Sequence, residues 1–193
     1  MKLVIVDLGC GNTGSVRLAF GRFGLEPLVT SDSAEIASAD RIILPGVGAA
    51  GFAMERIDVL GLRGTLTSLR QPALGICLGM QLLFDSSEEE EGTACLGLIP
   101  GRVRALEAAP GRPVPHMGWT KVRVETPDLG MTDGDYVYFA HSFACDAGPA
   151  AVATATYGRE IAAVVRQRNW IGAQFHPERS GEAGARFLKS FLE

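Results

Sequence analysis

Through its first 85 residues the chain alternates short apolar runs with helical stretches, and this restricts the possible folds more than any other feature. Leu3 to Val6 reads as a buried strand, and Gly9-Cys10-Gly11-Asn12 as a turn. A helix follows with Val16, Leu18, Ala19, Phe20 and Phe23 mostly on one side, ending at Gly24. Leu28-Val29 and Arg41 to Leu44 are further strands, with Ile36-Ala37 on a short helix between them. Met54 to Leu69 reads as a helix weakened at Gly61 and Gly64, Ala73 to Ile76 as a strand entering Cys77, and Leu78 to Phe84 as a helix. Successive strands joined by helices pair in parallel, because a parallel return needs a long crossover. The expectation is an α/β fold: an open, mostly parallel twisted sheet with helices on both faces.

The second half changes character. Val103 to Leu106, Lys121 to Val124, Tyr136 to Ala140, Val152 to Tyr157 and Ile161 to Val165 read as short strands joined by Gly, Pro and Asp turns. They predict an antiparallel or mixed extension, before a last strand, Trp170 to Phe175, and the amphipathic helix Gly181 to Leu192. No repeat or linker interrupts the chain, so residues 1–193 are expected to form a single domain.

Net charge of -4 gives no electrostatic footprint for nucleic acid. The acidic run Glu88 to Glu91 reads as a solvated loop. Only four apolar residues, Leu3 to Val6, precede the first acid, too few for a signal peptide or a membrane span, and a cytoplasmic location is expected. Cys10, Cys77, Cys95 and Cys145 show no paired CxxC spacing, so free thiols are expected rather than disulfides or a metal site.

One thiol stands apart. Gly75-Ile76-Cys77-Leu78-Gly79 has the Gly-x-nucleophile-x-Gly pattern of a strand-to-helix elbow. Such a turn strains the nucleophile's backbone and leaves no room for side chains at the flanking positions. It also sets the sulfur at a helix start, where the thiolate is favoured. A cysteine nucleophile needs a base, and the chain holds only His116, His141 and His176. His176 ends the apolar strand and is followed by Pro177 and Glu178. In extended chain, residues two apart share a side, so Glu178 can accept a ring N–H and orient the imidazole. The acid follows the histidine here, unlike the acid-before-histidine order of α/β-hydrolases.

The segments 75–81 (Gly-Ile-Cys-Leu-Gly-Met-Gln) and 174–178 (Gln-Phe-His-Pro-Glu) resemble those of the class I, or triad, glutamine amidotransferases, a flavodoxin-like group. Asp7, Gly11-Asn12, Ser15-Val16, Leu44 to Gly48, Pro115 to Trp119 and His176 to Gly181 narrow the resemblance to the glutaminase subunits of imidazole glycerol phosphate synthases. The likeness covers essentially the whole chain. It implies that Cys77, His176 and Glu178 hydrolyse glutamine to glutamate and ammonia. Leu78 and the turn Gly46-Val47-Gly48 would supply oxyanion donors, the turn by reorienting a peptide. Gln81, Glu89, His141 and Ser142 would hold the substrate, and Asn12, Trp119 and Tyr138 would meet a partner. That partner is implied to be a (β/α)8-barrel cyclase in a heterodimer. It receives ammonia through a channel and makes imidazole glycerol phosphate and AICAR in histidine biosynthesis. No cofactor, metal, membrane or nucleic acid is implied, and activity is expected to depend on the cyclase and its nucleotide-like ligand. Thr13, Thr120 and Phe143 depart from the usual leucine, asparagine and tyrosine. Other triad amidotransferases, a Cys-elbow hydrolase or peptidase, and a non-catalytic interaction module remain alternative readings.

Overall fold

The computed structural model of the chain describes residues 1–9, 11–126 and 129–193, without the Glu91 side chain. Cys10, and with it part of the expected first turn, lies outside the described residues. The first half runs β1 (Leu3–Val6), α1 (Thr13–Gly21), β2 (Leu28–Thr30), α2 (Ser33–Ala37), β3 (Arg41–Gly46), α3 (Ala50–Val59), α4 (Arg63–Ser68), β4 (Ala73–Cys77) and α5 (Leu78–Gln81). Strands then dominate: β5 (Phe84–Ser87), β6 (Thr93–Ala94), β7 (Ile99–Ala105), β8 (His116–Val124), β9 (Tyr136–His141) and β10 (Phe143–Cys145). The chain closes with β11 (Ala151–Tyr157), β12 (Arg159–Gln167), β13 (Trp170–Ala173) and α6 (Gly181–Leu192).

Among the described residues the strands form two sheets. The larger has the order β2-β1-β3-β4-β13-β12-β11-β8-β9 and the smaller β10-β7-β5-β6. Pairing is parallel from β2 through β13 and antiparallel beyond it. Alternation along β1 divides the interior: Val4 and Val6 join the core on one face, Leu3 and Ile5 the core on the other. Aromatic rings fill the second core, with Phe175 edge-on to Phe139 at 6.1 Å and to Phe187 of α6 at 5.4 Å. Phe187→Ala is expected to destabilise the fold by about 3–5 kcal/mol, read from urea or thermal unfolding.

The expected elements need four corrections. Met54 to Leu69 is two helices, because Gly61 takes φ +66° and closes α3. The closing bonds are Leu62 N–H to the Ile57 carbonyl at 2.8 Å and Gly61 N–H to the Asp58 carbonyl at 3.0 Å. The helix expected to reach Phe84 stops at Gln81, since Phe84 pairs with Ile99 in the smaller sheet. That sheet is separate, so the second half does more than extend the first: β7, read in part as Val103 to Leu106, and the unexpected β5, β6 and β10 belong to it. On α1, Leu18 faces solvent, while Val16, Ala19 and Phe20 are buried.

Candidate active site

Three neighbouring strand ends build the site. β4 lies between β3 and β13, with Cys77 beside Gly46 and Ile76 beside Ala173. Each strand leaves the sheet at the same edge and contributes a different kind of group. Cys77 sits at φ 54°, ψ -110°, a strained conformation for a residue with a side chain. The flanking glycines are required by space. A Cβ on Gly75 would lie 2.6 Å from the Gly79 carbonyl oxygen, and one on Gly79 would collide with the Leu44 carbonyl.

His176 and Glu178 meet, though by a different geometry from the one expected. Pro177–Arg179 is a 3-10 turn rather than extended chain, and it curls Glu178 back so that its Oε1 lies 2.9 Å from His176 Nδ1. The turn is pinned to β9: His176 N–H donates to the Tyr138 carbonyl at 2.8 Å, and Tyr138 N–H donates to Ser180 Oγ at 2.9 Å. Burial alone would pull the His176 pKa down. The neighbouring Cys77 and the hydrogen-bonded Glu178 outweigh that and lift it to about 10.

Around the sulfur lie two groups whose part was not expected. The Cys77 thiol approaches the Ala140 carbonyl at 3.8 Å, and Gln174 Nε2 approaches Sγ at 3.9 Å. Gln81 Nε2 donates to Gln174 Oε1 at 3.0 Å and to the Phe143 carbonyl at 2.7 Å. Gln174 is fully buried, and its polarity inside an apolar strand, two residues before His176, was the signal available.

A pocket of about 290 Å³ opens over Cys77, at the small end of the range for ligand sites. Val47, Gly48, Leu78, Gln81, Glu89, His141 and Ser142 line it, so most of the expected oxyanion and substrate positions converge. Gly46 sits just behind, buried at the end of β3. Both His141 nitrogens are engaged within the chain. Nδ1 faces the Phe143 carbonyl at 2.8 Å and therefore carries the hydrogen, leaving Nε2 to accept from His116 Nδ1–H at 3.0 Å. His116 Nε2 then accepts from the Thr120 hydroxyl at 2.7 Å, so this departure from the usual asparagine serves the interior. His141 thus lines the pocket with both ring nitrogens already engaged.

Burial pushes His116 down to about 4. Burial also pushes His141 down to about 4, helped by nearby cationic groups and opposed by the Phe143 bond. An unfolded chain protonates these rings near 6.5, whereas the folded one resists until about 4. Their contribution to stability is therefore complete above about pH 6.5 and lost as pH falls toward 4. The melting temperature is expected to fall across that window, less steeply in His116→Phe.

Of the expected interface positions, Trp119 and Tyr138 are directly cross-strand and meet edge-to-face at 6.1 Å, with the Arg179 guanidinium 4.8 Å from the Tyr138 ring centre. Met117 shares Trp119's outward face on β8, and both are more than half exposed. Asn12, exposed, caps α1, accepting from Ser15 N–H at 3.1 Å. Cys77, Cys95 and Cys145 are free thiols. Among the described residues no group of three or more His, Cys, Asp or Glu is placed to hold a metal, and no helix is long and apolar enough to cross a membrane.

The chain matches the glutamine amidotransferase class-I family over residues 4–193. It is 48% identical over 195 residues to the imidazole glycerol phosphate synthase subunit HisH of Xylella fastidiosa (strain Temecula1), covering 100% of this chain and 97% of the relative. It is 45% identical over 196 residues to the subunit of the same name from Escherichia coli (strain K12), with 100% of each covered. In structure it is similar to a glutamine amidotransferase at TM-score 0.76, with 19% identity over 98% of this chain and 96% of that one. PurLQS from Thermotoga maritima is similar at TM-score 0.70, with 21% identity over 99% and 97%. At such identities these two structures speak for the fold alone. Full-length sequence identity carries the rest: the chain belongs to the class-I glutamine amidotransferases and, among them, to the HisH subunits of imidazole glycerol phosphate synthase.

Proposed function

We propose that this chain, acting as one domain, is the glutaminase subunit of an imidazole glycerol phosphate synthase, with Cys77, His176 and Glu178 as its triad. The observation that carries the reading is the three strand ends: β4 presents the sulfur, β13 leads to the paired histidine and carboxylate, and β3 leads to the Gly46-Val47-Gly48 turn. Cys77 Sγ attacks the side-chain amide carbon of glutamine, and the negative charge that develops on oxygen is met by Leu78 N–H and an N–H of the turn. Glycines at 46 and 48 let that turn reorient a peptide at little conformational expense. His176, held protonated near neutral pH, gives its proton to the departing amine, and ammonia leaves. The thioester remains; His176 then takes a proton from water as the water attacks, and glutamate leaves with the thiol restored.

Gln81, Glu89, His141 and Ser142 surround the substrate, with Glu89 opposite the α-ammonium. The exposed apolar residues Val47 and Met117 line the pocket, and exposed Trp119 follows Met117 on the same face of β8, a patch suited to a protein partner. In this reading the partner is a (β/α)8-barrel cyclase, and the pair works in the cytoplasm. Ammonia released under such a cover passes on before bulk water can protonate it. The test is glutamine hydrolysis by the full chain with and without the cyclase and its ligand, using Cys77→Ala as control. Stimulation by the cyclase is expected. An isolated chain as fast as the complex would remove partner-dependent activation.

A further inference from the structure

Helix α3 starts directly after the Gly46-Val47-Gly48 turn, and its N-cap, Ala49, has no side chain to satisfy the first turn. Glu89, far along the chain, does so instead: Ala50 N–H donates to Glu89 Oε2 at 2.7 Å. Glu90 crowds the same helix end at φ 53°, ψ 50°, and a Cβ on Gly51 would collide with its carboxylate. The neighbouring Glu88 is paired with Arg102 at 3.6 Å and Arg104 at 4.0 Å, whereas no Lys or Arg among the described residues pairs with Glu89. Glu89 thus stands between the helix start and the Cys77 pocket, which it also lines. Gly46 is held against Leu78 and Gly79, but the rest of the turn has little to hold it: Val47 is exposed, and Gly48, at φ +99°, has open space where a Cβ would point. Ala50, buried and bonded to Glu89, is the nearest fixed point after it.

We infer that Glu89 is a positioning residue for the oxyanion turn as well as a contact for the substrate's α-ammonium. This rests on the reading of the pocket as a glutamine site. A carboxylate has lone pairs enough to serve both partners at once. One carboxylate therefore seats the ammonium and keeps its hold on α3, steadying the turn that must donate to the oxyanion. Glu89 works on the reacting oxygen only through Ala50 and the turn.

The full chain in complex with its cyclase tests this with two variants and two substrates. Glu89→Gln keeps an oxygen that accepts the Ala50 N–H and loses the charge; Glu89→Ala loses both. Glutaramate is glutamine without the α-ammonium. With glutamine, both variants are expected to raise KM about tenfold, and kcat of Glu89→Ala is expected to fall about fivefold below that of Glu89→Gln, the size of a lost cap. The same fivefold gap in kcat is expected with glutaramate, where no ammonium takes part. Hydrogen exchange over residues 46–52, which needs no turnover, is expected to be about fivefold faster in Glu89→Ala than in Glu89→Gln. Equal kcat and equal exchange in the two variants, with KM for glutamine raised in both, would overturn the positioning role and leave the ammonium contact standing. An unchanged KM for glutamine would sink the ammonium reading instead, and the exchange difference would still decide the positioning role.

Discussion

Replacing Cys77 with alanine is expected to lower glutamine hydrolysis by on the order of 10⁴-fold or more while leaving the chain folded. The size follows from the role: without the sulfur there is no thioester, and only the oxyanion donors and substrate binding remain to assist attack by water. Stability should change little, because Cys77 is small, its sulfur's contacts with the Ala140 carbonyl at 3.8 Å and Gln174 Nε2 at 3.9 Å are long, and alanine inherits the same φ of 54°. Steady-state hydrolysis with the cyclase present, beside a thermal melt of each protein, checks both halves. Activity retained in a folded Cys77→Ala variant would remove the nucleophile assignment. In that event His176 would need another partner to explain a pKa lifted to about 10.

The second large effect is expected at Glu178. Its Oε1 receives the His176 Nδ1 hydrogen at 2.9 Å, and its side chain is 2% exposed. Glu178→Gln should reduce kcat by roughly 10²–10⁴-fold with little change in KM, because the charge that orients and stabilises the imidazolium is lost. It should also destabilise the fold by about 1–3 kcal/mol, since Oε2 has no hydrogen-bond partner among the described residues and an amide NH₂ there has no acceptor. The pH dependence has a definite sign. A histidine raised from 6.5 to about 10 adds stability that is fully present below pH 6.5 and is lost as pH rises through about 10. Removing the Glu178 charge moves His176's proton loss to lower pH, so the alkaline fall in kcat should begin earlier in the variant. A kcat profile from pH 7 upward measures it. An alkaline limb that stays in place would show that Glu178 does not govern the His176 proton.

Both effects concern residues that could be found by reading along the chain. The elbow is a local steric statement: Gly75 and Gly79 are where side chains would strike the Gly79 carbonyl and the Leu44 carbonyl, and such demands leave a short pattern. His176-Pro177-Glu178 is equally local, although the 3-10 turn that joins the two side chains was read as extended chain. Pro177 suits either conformation, and tertiary bonds help to select the turn, with His176 N–H donating to the Tyr138 carbonyl and Tyr138 N–H donating to Ser180 Oγ. The parallel half was legible because apolar runs at strand spacing alternate with helical ones. The smaller sheet was not, since two-residue β6 and three-residue β10 carry too few positions to show a period. Gly118, at φ +136° inside β8, likewise hid the first half of that strand within a motif.

By itself, then, the sequence singled out the proposed nucleophile and base and determined the succession of strands and helices in the parallel half, because backbone sterics and side-chain periodicity act over a few residues. What surrounds the sulfur was decided by tertiary structure. The Gln81–Gln174–Cys77 contacts, the neutral His116–His141 pair closed by Thr120, and the Glu89 anchor on Ala50 each join segments distant in the chain. A hydrogen bond across that distance depends on which surfaces the packed sheets bring together, and no local pattern records it. Cys77 could be named from five residues; the pocket that sets its work needed the whole fold.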